Sequence, residues 1–76
     1  MDTDLFSEQI HVERKLFSFN LRENPRGRFL RITEDVGGHR DTVIIPATGL
    51  KDVRNVLEHI IKADEKAGPS KPENVK

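Results

Sequence analysis

Residues Asn24-Pro25-Arg26-Gly27 form a turn signal set between two runs of apolar–polar alternation, and that arrangement leaves the chain few options. Asn and Pro open tight turns, and Gly supplies the positive-φ position that other residues resist. The incoming run carries Phe17, Phe19 and Leu21 at odd positions. The outgoing run carries Leu30 and Ile32 and reaches Thr33. A period of two belongs to half-buried strands, so the segment reads as a β-hairpin. Four of the chain's thirteen basic residues, Arg22, Arg26, Arg28 and Arg31, lie near its tip or along the outgoing strand. Rigid guanidinium forks on a sheet, with Phe29 among them, suit phosphate oxygens and stacked bases.

The rest of the chain extends this hairpin into a sheet. Ile10 and Val12 alternate on even positions, whereas Phe17 onward uses odd ones. Strict alternation allows no such change of parity within one regular strand, so a break is placed near Glu13-Arg14-Lys15. Strands are expected over 8–13, 15–23 and 28–34, and residues 1–7 are expected to fray. Gly37-Gly38 marks a second tight connection. Thr42 to Pro46 reads as a fourth strand, apolar on both faces and expected to be covered on both, and Pro46 ends its ladder.

Thr48 is placed to cap a helix that starts near Leu50. Within it Leu50, Val53, Val56, Leu57, Ile60 and Ile61 fall in a stripe about 140° wide. Arg54, Glu58 and Lys62 have the spacing of i,i+4 pairs on the opposite side. Gly68-Pro69 stops the helix, and residues 69–76 read as a flexible polar tail. The fold class expected is therefore α+β, a four-stranded antiparallel sheet followed by one helix (ββββα) that covers one sheet face. Its apolar stripe and two-sided fourth strand exceed what one layer hides, so homodimerisation is expected.

Totals narrow the function classes. Seventy-six residues without cysteine make one small domain that has no disulfide to stabilise it. His11, His39 and His59 are widely spaced, so no metal site is expected, and no cofactor either. His39 and His59 read as exposed residues. The acidic start does not read as a signal peptide, and no run approaches a membrane span, so a cytoplasmic, nucleoid-accessible protein without membrane contact is expected. Formal charge is zero, yet Arg14 to Arg31 holds six basic residues against one acid, a local +5 balanced by −5 elsewhere. A directional basic patch of that kind steers a polyanion.

Parity then assembles a candidate site. Ser18, Asn20 and Arg22 turn away from Phe17, Phe19 and Leu21, while Phe29, Arg31 and Thr33 turn away from Leu30 and Ile32. One face thus collects Asn20, Arg22, Phe29 and Arg31, a combination suited to single strands. Phe17 and Phe19 belong to the core. Arg28 shares parity with Leu30 and is expected beside the core edge or paired with Glu34. No nucleophile elbow, phosphate loop or metal motif is present, so neither an enzyme nor a small-molecule substrate is expected. A protein-interaction or assembly module that does not bind nucleic acid is the competing class.

The run from Lys15 to Ile32, with Arg22-Glu23-Asn24-Pro25-Arg26-Gly27-Arg28-Phe29 at its centre, resembles the PUR repeat. That repeat defines the purine-rich-element-binding Pur-alpha proteins and their single-repeat bacterial relatives. The resemblance covers about residues 8–66, a single repeat between tails 1–7 and 69–76. It implies a Whirly-like domain completed when two repeats intertwine and exchange helices, here as a homodimer. It further implies binding of single-stranded, purine-rich DNA or RNA, and regulation of transcription or translation. Arg22, Asn24 and Arg26 match its Lys-x-Asn-x-Arg positions. Lys15 matches the lysine that opens its second strand, and Phe29 matches its stacking aromatic. The sequence departs from the repeat at Glu13-Arg14 and at Pro25.

Overall fold

The computed structural model describes residues 2–72. Four antiparallel strands form a simple meander: β1 (Thr3–Val12), β2 (Lys15–Asn24), β3 (Gly27–Val36) and β4 (His39–Pro46), in spatial order β1-β2-β3-β4. A 3-10 turn (Ala47–Gly49) leads into a single helix, α1 (Leu50–Ala67).

Each connection is a two-residue turn with its own backbone solution. Between β1 and β2 it is Glu13-Arg14, where Glu13 takes φ 56°, a left-handed value that costs a side-chain-bearing residue energy. This is the expected parity break. Between β2 and β3, Pro25-Arg26 span the loop and Gly27 leaves it at φ 144°. Between β3 and β4, Gly37 and Gly38 take φ 60° and 87°, the doubly positive pattern that matches strand twist in a tight hairpin.

The strands are longer than alternation alone indicates. Residues 3–7, expected to fray, pair with β2 from Thr3↔Glu23 to Ser7↔Asn20. A bulge between Asp4 and Phe6 hides that strand from a pattern reading, because it puts Asp4 and Ser7 on one face three positions apart. Likewise β4 begins at His39 and not at Thr42, since backbone pairing out of the Gly-Gly turn needs no apolar side chains.

The start of the helix also departs from expectation. Thr48 lies inside the 3-10 turn, Gly49 is the N-cap, and no side chain caps the first turn. Asp52 in the first turn and Lys66 in the last complement the helix dipole. Gly68, at φ 88°, ends the helix as expected, its N–H bonded to the Glu65 carbonyl. Arg54 donates to Asn55 Oδ1 at 3.4 Å, and the expected i,i+4 ion pairs with Glu58 are not formed among the described residues.

The largest correction concerns layering. The helix does not cover the sheet: its main contacts are with the 3-10 turn, which in turn touches β3. Among the described residues no side chain is buried. Val43 and Ile44 of β4, expected to be covered, are each at least half exposed. So are Val56, Leu57, Ile60 and Ile61 of the helix stripe. The chain has a radius of gyration of 14.7 Å, against about 11 Å for a compact chain of this length. Its surface is 6528 Å², where a folded monomer of its mass exposes about 4,700 Å². Both the apolar sheet face and the apolar helix stripe are open.

Candidate nucleic-acid interface

Register sorts the side chains into two faces. On the apolar face, Phe6, Leu21, Leu30 and Ile45 form one cross-strand row, followed by Glu8, Phe19, Ile32 and Val43. Phe17 and Ile10 share the next row with Glu34 and Asp41. The other face is polar and consists of four rows about 6.8 Å apart, two residues of strand each. The row nearest the Pro25-Arg26 turn is Asp4, Arg22, Phe29 and Pro46. Beyond it come Ser7, Asn20, Arg31 and Ile44, then Gln9, Ser18, Thr33 and Thr42. The last row is His11, Leu16, Asp35 and Arg40.

Four of the residues predicted from sequence therefore stand together. Arg22 lies directly opposite Phe29, and Asn20 directly opposite Arg31, in adjacent rows. Phe29 is half-buried between Arg22 and Pro46 and is not a free ring. Arg22 is not free either. Its Nε sits 3.2 Å from the Asp4 carboxylate and 3.8 Å from that of Asp2. The Nε is shielded from solvent without an aligned hydrogen bond, so the attraction is ionic. Arg31 also has a shielded Nε without a hydrogen-bond partner.

At the turn, Asn24 and Arg26 hold each other: the Arg26 N–H donates to Asn24 Oδ1 at 2.9 Å. The Arg26 guanidinium is thereby projected from a short, braced, exposed loop. Arg28, expected beside Glu34, instead donates through Nε and Nη2 to Glu23 Oε1 at 2.9 and 2.7 Å. The two residues are cross-strand partners, so register decides that pairing. Glu34 pairs with Lys15 Nζ at 2.8 Å. Lys15 shares parity with Phe17 and stands at the opposite end of β2, on the other side of the sheet from Asn20 and Arg22.

Sequence reasoning missed Gln9, Arg40 and the two N-terminal aspartates. Gln9 and Arg40 line a groove of about 260 Å³ on the polar face, with Leu16, Ser18, Asn20, Arg31, Thr33 and Asp35. Placing Gln9 and Arg40 required the two turn positions, and placing Asp4 required the bulge. None of these is visible as a period.

A family model described as PurA ssDNA and RNA-binding protein matches residues 2–74. The chain belongs to the PurA family. Among its relatives, Transcription factor Pur-alpha 1 of Arabidopsis thaliana is 39% identical over 64 residues, 84% of this chain and 22% of that protein. Human Transcriptional activator protein Pur-alpha is 29% identical over 70 residues, 91% of this chain and 22% of that protein. Human Transcriptional regulator protein Pur-beta is 29% identical over 73 residues, covering 95% and 23%. The chain thus spans under a quarter of the length of these relatives. The PurA match begins at residue 2 and so takes in the β1 residues that alternation missed. No helix among the described residues is long and apolar enough to cross a membrane.

Proposed function

We propose that this PurA chain binds single-stranded, purine-rich DNA or RNA as a homodimer and acts as a regulator of transcription or translation. The observation that carries the proposal is the Arg22–Phe29 pair on an open polar face beside the projecting Arg26. Guanidinium forks draw the phosphates, while the exposed part of the ring and the flanking amide of Asn20 meet the bases. Asn24 serves by fixing the loop that presents Arg26, and Arg31 adds a cation one row away. Lys15 stands on the other side of the sheet, paired with Glu34, and adds little to this face.

The dimer part of the proposal rests on the open apolar surfaces. A helix stripe and a sheet face of matching character are both uncovered within one chain. Exchanging helices between two copies buries each stripe on the partner's sheet and leaves both polar faces outward, a Whirly-like arrangement. Strand and helix stay as they are, so the cost of assembly is small relative to the area gained.

The test is a titration of the full chain with single-stranded purine oligonucleotides over a range of salt. Phosphate contacts make log affinity fall linearly with log salt, by about 0.7 per contact on single strands. Replacing Arg22 and Arg26 by Ala flattens that slope. An affinity indifferent to salt, or no binding, refutes the nucleic-acid reading and favours an assembly module instead.

A further inference from the structure

The first residues of β1 are held to the sheet differently from the rest of that strand. From Ser7 onward, regular pairing with β2 is reinforced on the polar face by two side-chain hydrogen bonds. Asn20 Nδ2 donates to Ser7 Oγ at 2.9 Å, and Gln9 Nε2 donates to Ser18 Oγ at 3.1 Å. Before the bulge only Thr3↔Glu23 and Asp4↔Arg22 continue the ladder, and Asp2 lies outside the strand. What ties this end to the polar face is charge. Arg22 Nε sits 3.2 Å from Asp4 Oδ1 and 3.8 Å from Asp2 Oδ2. β1 is also an edge strand, so its outer side pairs with no strand of the described residues.

We infer that residues 2–4 form an acidic strap that occupies Arg22 in place of a nucleic-acid phosphate and is displaced when a single strand binds. The inference rests on the single-strand reading above and adds an internal competitor to it. Carboxylate and phosphate offer a guanidinium the same kind of anionic oxygen. Two carboxylates against one guanidinium leave a local charge of −1, so a phosphate approaching Arg22 is repelled until the strap moves. The aspartates are the side that opens. The Asp4 side chain is 66% exposed and that of Asp2 40%, whereas the Arg22 side chain is only 20% exposed. Opening swings the carboxylates into water, where they are well solvated, and leaves the guanidinium in place opposite Phe29. An exposed ion pair is weak, so the strap lowers affinity without closing the site. The bulge between Asp4 and Phe6 is the hinge: regular pairing is interrupted there, so residues 2–4 lift without disturbing Ser7 and Gln9.

The experiment is a double-mutant cycle on the full chain, read by fluorescence anisotropy of a labelled single-stranded purine oligonucleotide at low salt. Asp2→Asn together with Asp4→Asn should tighten binding about three- to tenfold, the combined strength of two exposed ion pairs. In an Arg22→Ala background the same two changes should gain less than about twofold, because only screened long-range charge remains. An equal gain in both backgrounds overturns the strap, since the aspartates then act through the general field alone. A weaker complex overturns it too, because it would make them positioning groups for Arg22. A second measurement needs no variant: amide hydrogen exchange of the parent with and without saturating oligonucleotide. Residues 3–5 should exchange several-fold faster in the complex, while residues 7–12 stay as protected as before. Slower or unchanged exchange at residues 3–5 means that the segment stays down, and overturns the inference even where Arg22→Ala folds poorly. If the parent binds and the cycle shows no coupling, the strap alone fails. If neither the parent nor the aspartate variant binds, the single-strand reading fails with it.

Discussion

Truncating Ile60 to Ala separates the two states that the open helix stripe allows, because they predict effects of opposite sign. Ile60 is 54% exposed in the single chain, in a stripe with Val56, Leu57 and Ile61. If the chain works alone, Ile60→Ala is a surface change worth no more than about 0.5 kcal/mol. It should even stabilise slightly, since Ala is the better helix former. If the stripe docks on a second copy, the same change removes a buried side chain and costs about 2–5 kcal/mol at each of two symmetric sites.

The exposed area favours the second outcome. The chain exposes 6528 Å², about 1,800 Å² more than a compact monomer of its mass. Two such excesses fall within the roughly 2,000–5,000 Å² range of obligate dimer interfaces. The assay is thermal unfolding over a hundredfold range of concentration. Such dilution is worth about 2.8 kcal/mol to a dimer. With about 2.1 cal/mol/K of unfolding entropy per residue over roughly 130 ordered residues, the parent should melt about 10 °C lower when dilute. Ile60→Ala should melt well below the parent at every concentration. A melting temperature independent of concentration, together with an Ile60→Ala variant as stable as the parent, would refute the reasoning.

Three further outcomes are expected. Phe29→Ala, removing a half-buried ring, should cost less than the roughly 3–5 kcal/mol of a core phenylalanine while weakening single-strand binding by about 1–3 kcal/mol; unchanged affinity in a folded dimer rules out stacking. Asp4→Asn should free Arg22 for phosphate and strengthen binding by up to about fivefold, the worth of an exposed ion pair, as read by fluorescence anisotropy. A weaker complex would instead mean that Asp4 positions the guanidinium. Glu13→Gly should raise the melting temperature by a few degrees, because relieving a left-handed residue gains about 1–2 kcal/mol and the freer unfolded chain returns about 0.4–1. A lower melting temperature would show that the Glu13 conformation is not strained.

Much of the secondary structure was legible because its signals are local. Gly27, Gly37, Gly38 and Gly68 all take the positive φ that their positions implied. Side-chain parity correctly grouped Asn20, Arg22, Phe29 and Arg31, since in an antiparallel hairpin the turn fixes the register and the register fixes the face. The helix limits followed from the onset of the apolar stripe and from Gly68-Pro69. What parity cannot register is a change of phase. The bulge near Leu5 concealed the first half of β1, and with it the aspartates beside Arg22.

The sequence by itself determined the ββββα order, the hairpin turns and the polar face that gathers arginine, asparagine and phenylalanine. Only the tertiary structure decided where the helix goes. Periodicity states which side of an element is apolar, but not what covers it, and a stripe suited to its own sheet looks identical to one suited to another chain's. The same limit explains the ion pairs. Whether Arg28 meets Glu34 or Glu23, and whether Arg22 or Arg31 is left open to a ligand, depends on cross-strand neighbours far apart in sequence. Those pairings belong to the register of the assembled sheet, which no single strand encodes.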